Sequence, residues 1–133
     1  MDAFIEQVMA LWQQPQPDEA AFATCYADKL TVNGEPMTLA GLVERARSLH
    51  ASFSDFRHEV LDVVAAPERL AVAFVMHMRH TGPYPAPSGV LPATGRTVAV
   101  RTIDILTVRD HKITDITVVS DDLGLLKQLG AVG

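Results

Sequence analysis

The stretch Asp115-Ile116-Thr117-Val118-Val119-Ser120-Asp121-Asp122-Leu123-Gly124-Leu125-Leu126-Lys127-Gln128-Leu129-Gly130 is entered through Arg109-Asp110-His111-Lys112-Ile113. Residues alternate from Lys112 to about Val119, the period of a strand, and Leu123, Leu125, Leu126 and Leu129 then share one face of a short helix. Arg109 to Lys112 form a tight turn from the preceding strand. Alternation that persists to Asp121 puts it on the face of Thr117 and Val119, and a concave face there would aim its carboxylate into a pocket.

Upstream of the turn, residues 96 to 108 read as a strand. One face presents Val98, Val100, Thr102, Asp104, Leu106 and Val108; the other presents Thr97, Ala99, Arg101, Ile103, Ile105 and Thr107. Both faces are apolar enough to be covered. A curved sheet with helices and a cavity on its concave side, and a second copy of the chain on its convex side, meets that need, an isologous dimer being the commonest such assembly. Asp104 is then an acid among apolar neighbours, costly unless paired, hydrogen-bonded or protonated. Arg79 is a candidate partner; Arg101 points to the other face.

Two more strands are expected, from Phe56 to about Ala65 and from Leu70 to His80, around a turn at Pro67-Glu68-Arg69. Between Gly82 and Gly95, four prolines and three glycines break any ladder, and a long loop of this kind is often functional. The first part of the chain is helical instead. Phe4, Val8, Leu11 and Trp12 have helical spacing within residues 2 to 13; Pro15 and Pro17 stop that helix, and a second begins near Asp18 and leads into Tyr26. Thr38 can cap a third, whose stripe is Leu39, Leu42, Val43, Ala46, Leu49, His50 and Phe53. Helices followed by strands are the order of an α+β domain, and a cone-shaped, mixed but mainly antiparallel sheet with the N-terminal helices on one face fits that order.

At 133 residues, 48% hydrophobic and 20% charged, the chain fits one domain over 1–133, with no repeat or linker. A net charge of −5 argues against nucleic acid and anionic membranes, which need a basic surface. Nowhere do eighteen apolar residues run together, and Met1-Asp2-Ala3-Phe4-Ile5-Glu6 opens unlike a basic leader, so a cytoplasmic location is expected. Cys25 is the single cysteine and forms no intrachain disulfide. It is expected to pack as a small apolar residue in an Ala-rich helix. Neither a CxxC pair nor an HExxH helix suggests a metal.

Thr102-Ile103-Asp104-Ile105, the Arg109–Ile113 turn and the Asp121–Gly130 segment resemble the C-terminal half of SnoaL-like polyketide cyclases, within the nuclear transport factor 2-like superfamily of cystatin-like fold. The resemblance extends through Phe53-Ser54-Asp55-Phe56-Arg57, Asp62-Val63-Val64-Ala65, His80-Thr81-Gly82 and Pro92-Ala93-Thr94-Gly95-Arg96, covering roughly residues 38 to 130. It implies a curved-sheet homodimer joined through the convex face and a cofactor-independent enzyme. Asp121 matches the family's usual general acid/base, and Thr117 stands where a Trp is common.

A carboxylate in an apolar cavity can exchange protons with an activated carbon or a forming alkoxide at neutral pH, because desolvation raises its pKa. The resemblance implies an intramolecular aldol cyclisation or isomerisation of a hydrophobic ketone. Asp121 is the candidate acid/base, with Asp104, His80 and His50 as candidates to orient it or to bind a substrate oxygen. Trp12, Tyr26, Phe53, Phe74, Met76, Met78, Tyr84 and Thr117 are candidates for the substrate pocket. Each has a plainer role in packing, and Asp121 can equally be a helix cap worth about 0.5–2 kcal/mol. Two other functions share the fold: a ligand-binding or dimerisation module without chemistry, and an epoxide hydrolase in which Asp104, Asp121 and an arginine converge on water. His58, His77 and His111 read as surface residues.

Overall fold

A computed structural model describes residues 3–132. Helices α1 (Ala3–Gln13) and α2 (Glu19–Phe22) come first, then strands β1 (Tyr26–Val32) and β2 (Glu35–Thr38), then α3 (Leu39–Ser52). The remainder is β3 (Phe53–Ala66), β4 (Arg69–His80), β5 (Tyr84–Ala86), β6 (Gly89–Leu91), β7 (Thr97–Arg109), β8 (Lys112–Ser120) and α4 (Asp122–Gln128). Asp2, the expected start of the first helix, lies outside the described residues.

Six strands form one curved sheet in the order β2-β1-β8-β7-β4-β3, antiparallel at every junction except β1 with β8, which is parallel. The expected α+β architecture and its long strands are present. The strands β1 and β2 are a correction, since the sequence reading ran from the second helix through Tyr26 to the third. They form a hairpin around Asn33-Gly34, whose φ angles of 51° and 82° suit a two-residue primed turn. The Asn33 side chain also accepts from the Val118 amide at 2.8 Å and donates to the Val118 carbonyl at 3.2 Å, standing in for backbone at the end of the β1–β8 ladder. The Pro-rich segment is likewise a small hairpin, β5 paired with β6, rather than an open loop.

Local signals set the ends of the helices. The Thr38 hydroxyl accepts the Gly41 amide at 3.0 Å, so it caps α3 as expected. Asp18 does the same for α2. Cys25 is fully buried, but in the turn after α2 rather than in the helix, and burial raises its thiol pKa.

The inward face of β7 follows the expected alternation, with Thr102 and Leu106 buried and Ile103 exposed. Ile5, Val8, Phe22, Leu42, Val43, Val72 and Leu106 pack α1, α2 and α3 onto the concave side; burial contributes about 1.5–3 kcal/mol for each large side chain. A separate cluster of Phe53, Met78, Val98, Val100, Leu125 and Leu129 lies under α4. On the convex side Ile103 is 55% and Val119 70% exposed, beside Leu61 and Val64.

Candidate active site

Where the main core meets the sheet it leaves a cavity of about 190 Å³. Helical spacing brings Val8 and Trp12 of α1, and Leu42, Arg45 and Leu49 of α3, onto its walls. The sheet contributes every second residue: His58 from β3, Phe74 and Met76 from β4, Thr102, Asp104 and Leu106 from β7, and Ile116, Val118 and Ser120 from β8. An apolar chamber with a few convergent polar groups is the usual form of a small-molecule site.

Asp104 lies between Val72 of β4 and Val118 of β8 in the ladder. Its Oδ1 is buried without a hydrogen-bond partner among the described residues, and burial pushes the carboxyl pKa up to about 7. Among the described residues, no arginine pairs with it. Arg79 instead donates to the Gly95 carbonyl at 3.2 Å, and Arg101 faces outward. An unpaired carboxyl held in apolar surroundings at a pKa near neutrality is a mark of acid/base sites.

Tyr26, His58, Thr102 and Ser120 bring further polar groups to the chamber. The Tyr26 hydroxyl accepts the Trp12 indole N–H at 2.7 Å; burial raises its pKa, and the nearby Asp104 charge adds to the effect. The Gln13 side-chain oxygen accepts both the His58 amide (2.9 Å) and its Nδ1–H (3.0 Å), which leaves Nε2 with the lone pair. Burial lowers the His58 pKa to about 4, so the ring is neutral near pH 7. Thr102 and Ser120 hydroxyls pair at 3.1 Å across β7 and β8.

Other expected site residues fall elsewhere. Asp121 is exposed and caps α4, its Oδ1 accepting the Gly124 amide at 2.8 Å; a Cβ on Gly124 would run into this carboxylate. The strand's phase explains the displacement. Ile116, Val118 and Ser120 line the cavity, whereas Thr117 and Val119 are exposed, and Asp121 borders an outer depression with Arg101, Ile103 and Val119. Asp104 and Asp121 therefore do not converge on one water, as the epoxide-hydrolase alternative requires.

His80 is fully buried in the second core, 5.4 Å from the Phe53 ring, and its Nδ1 is held by Thr94. Phe53, Met78 and Tyr84 pack in that same region, away from the cavity. His50 stacks on Phe56 at 4.0 Å, bonds the Trp12 carbonyl at 2.7 Å and borders a surface depression beside Pro15 and Pro17. Of the expected pocket residues, Trp12, Tyr26, Phe74, Met76 and Asp104 are brought together.

Sequence reasoning missed His58, Arg45, Thr102 and Ser120 as cavity residues. For His58 the signal was present, since it alternates with Phe56 and Val60 on β3. For Arg45 it was the spacing from Leu42 and Leu49. Ser120 was hidden by the choice of strand face.

A curved, mainly antiparallel sheet closed by N-terminal helices over an apolar chamber is the nuclear transport factor 2-like architecture. Residues 4–129 match the family model of SnoaL-like polyketide cyclases, and the chain belongs to that family. It superposes on TsrD from Streptomyces laurentii with TM-score 0.84 at 22% identity, covering 99% of each chain. A SnoaL-like polyketide cyclase from Agrobacterium tumefaciens gives TM-score 0.73 at 23% identity, over 98% of this chain and 100% of that one. A candidate polyketide cyclase from Acidithiobacillus ferrooxidans gives 0.81 at 19% identity, over the whole of both chains. No curated protein sequence matches the chain.

Proposed function

We propose that the protein is a proton-transfer enzyme that cyclises or isomerises a small hydrophobic ketone in the cavity, with Asp104 as general acid/base in place of Asp121. The buried Asp104 Oδ1 without a partner carries this reading. At its pKa of about 7 both protonation states are populated near neutrality, the condition for taking a proton and returning it.

In an aldol closure, ionised Asp104 removes a proton from a methylene flanked by carbonyls. The resulting enolate carbon attacks a second carbonyl of the same molecule, forming the C–C bond and an alkoxide. Protonated Asp104 returns its proton to that alkoxide, so the step is redox-neutral and regenerates the base. The Tyr26 hydroxyl, fixed by Trp12, and the Thr102–Ser120 pair are donors for the enolate or alkoxide oxygen. Neutral His58 offers an acceptor at Nε2 and adds no charge that would lower the Asp104 pKa.

Deuterium uptake by β-tetralone in D₂O, followed by proton NMR, tests the step without the physiological substrate. Wild type should accelerate exchange, Asp104→Asn should lose roughly 10²–10⁴-fold, and Asp121→Asn should retain it. Exchange that survives Asp104→Asn removes Asp104 from the chemistry.

A further inference from the structure

Among the residues that line the cavity, Arg45 alone is exposed, so it marks the mouth. It stands three residues after Leu42 and four before Leu49, both of which line the same chamber, so its stem continues their apolar stripe. Apart from Asp104 it is the only residue of that lining, among the described residues, with a charged side chain at neutral pH. Arg47, two residues on, is occupied: it donates to the Pro17 carbonyl at 3.3 Å and lies 3.8 Å from Glu44. Arg45 has no hydrogen bond or ion pair with the described residues.

We infer that the substrate is a keto acid whose carboxylate is held by Arg45 at the mouth while its apolar body fills the cavity. This rests on the proposal that the chamber holds the substrate. A guanidinium offers a planar pair of N–H donors that matches a carboxylate, and here it does so at the solvent-facing edge of an apolar space. With a net charge of −5, the rest of the chain gives an anion little reason to approach, so one free arginine at the opening decides orientation as well as affinity. A monoanion is matched by that single positive charge. A phosphate dianion would leave an unmatched charge facing into a chamber that already holds Asp104. The volume limits the body too, since about 190 Å³ lies below the ≈300–1,000 Å³ of pockets for drug-sized ligands. A body of one ring or two fused rings suits that volume.

The chain has one tryptophan, and Trp12 lines this cavity, so its fluorescence reports occupancy. Cyclohexaneacetate and cyclohexylethanol, alike in shape and different in charge, are titrated at pH 6 into wild type, Arg45→Gln, Arg45→Lys and Arg47→Gln, each checked for folding by circular dichroism. Wild type and Arg47→Gln should bind the acid at least roughly tenfold more tightly than the alcohol, as expected for one charge-assisted contact. Arg45→Gln should bind both equally, and Arg45→Lys should recover part of the preference. Equal binding in wild type, or a preference that survives Arg45→Gln, overturns the assignment of Arg45 while leaving the cavity proposal standing. A wild type whose Trp12 responds to neither probe overturns both.

Discussion

The indole N–H of Trp12 and the hydroxyl of Tyr26 meet at 2.7 Å, joining α1 to the start of β1 at the wall of the cavity. Tyr26→Phe leaves the indole N–H without its acceptor and should cost about 1–3 kcal/mol in urea denaturation. The double variant Tyr26→Phe/Trp12→Phe removes both partners and should show a favourable coupling of 0.5 kcal/mol or more, on the order seen for contacting residues. Strictly additive losses would show that the bond contributes nothing beyond packing.

Asp104 and His58 make opposite contributions to the pH dependence of stability. The Asp104 pKa rises from 3.8 to about 7 on folding, so between those values the native state holds the extra proton and stability falls as pH rises. The His58 pKa falls from 6.5 to about 4, so over that interval the unfolded state holds the extra proton and stability rises with pH. The two slopes oppose one another from about pH 4 to 6.5. Compared with wild type, Asp104→Asn should gain stability steadily from pH 4 to 7, by at most about 1.4 kcal/mol per pH unit. His58→Gln should show the reverse trend below pH 6.5. Parallel curves for all three proteins would mean that neither group is desolvated.

Asp121 acts on the fold. Asp121→Ala should cost about 0.5–2 kcal/mol by removing the α4 cap, Asp121→Asn should cost much less, and neither should slow β-tetralone exchange. Gly124→Ala should destabilise by the same local route, because its Cβ has no room beside the Asp121 carboxylate. Thermal denaturation with the exchange assay separates the two roles, and loss of exchange in Asp121→Asn at unchanged stability would restore Asp121 to the site.

The exposed Ile103 and Val119 carry the proposal that two copies of the chain pair through their convex faces. Their side chains lie on neighbouring strands, directly opposite in the ladder, and make a two-residue apolar ridge. Ile103→Lys should halve the mass seen in sedimentation equilibrium without altering the circular dichroism spectrum. A wild type that sediments as a monomer excludes the interface.

Where period and punctuation agreed, the fold was legible. The third helix, capped by Thr38, and the four long strands stand within three residues of their expected limits because apolar residues recur at clear intervals between Pro and Gly breaks. The β1–β2 hairpin escaped because its short strands, with Asp28 and Lys29 exposed, carry little alternation and their only strong sign is Asn33-Gly34. The site was legible to the extent that one strand's phase was right: β7 gave Asp104 its neighbours. For β8 the opposite phase was chosen, because Thr117 and Val119 are as β-prone as Ile116 and Val118, and period alone does not say which face is inside. His58 and Arg45 needed the third dimension, since a polar residue in an apolar stripe marks a rim or a chamber only once the opposite wall is known.

The parallel pairing of β1 with β8 also sets an order of events. Thr31 and Val32 find their partners only when Asp115 and Ile116 are in place, some eighty residues later in the chain. Loop closure over that span must precede the pairing, and its entropic cost rises only slowly with length, so the delay is mainly kinetic. During synthesis, the helices and the β3–β4–β7 meander can assemble while β1 waits. The wall of the chamber is therefore complete only once the eighth strand joins the first to the seventh.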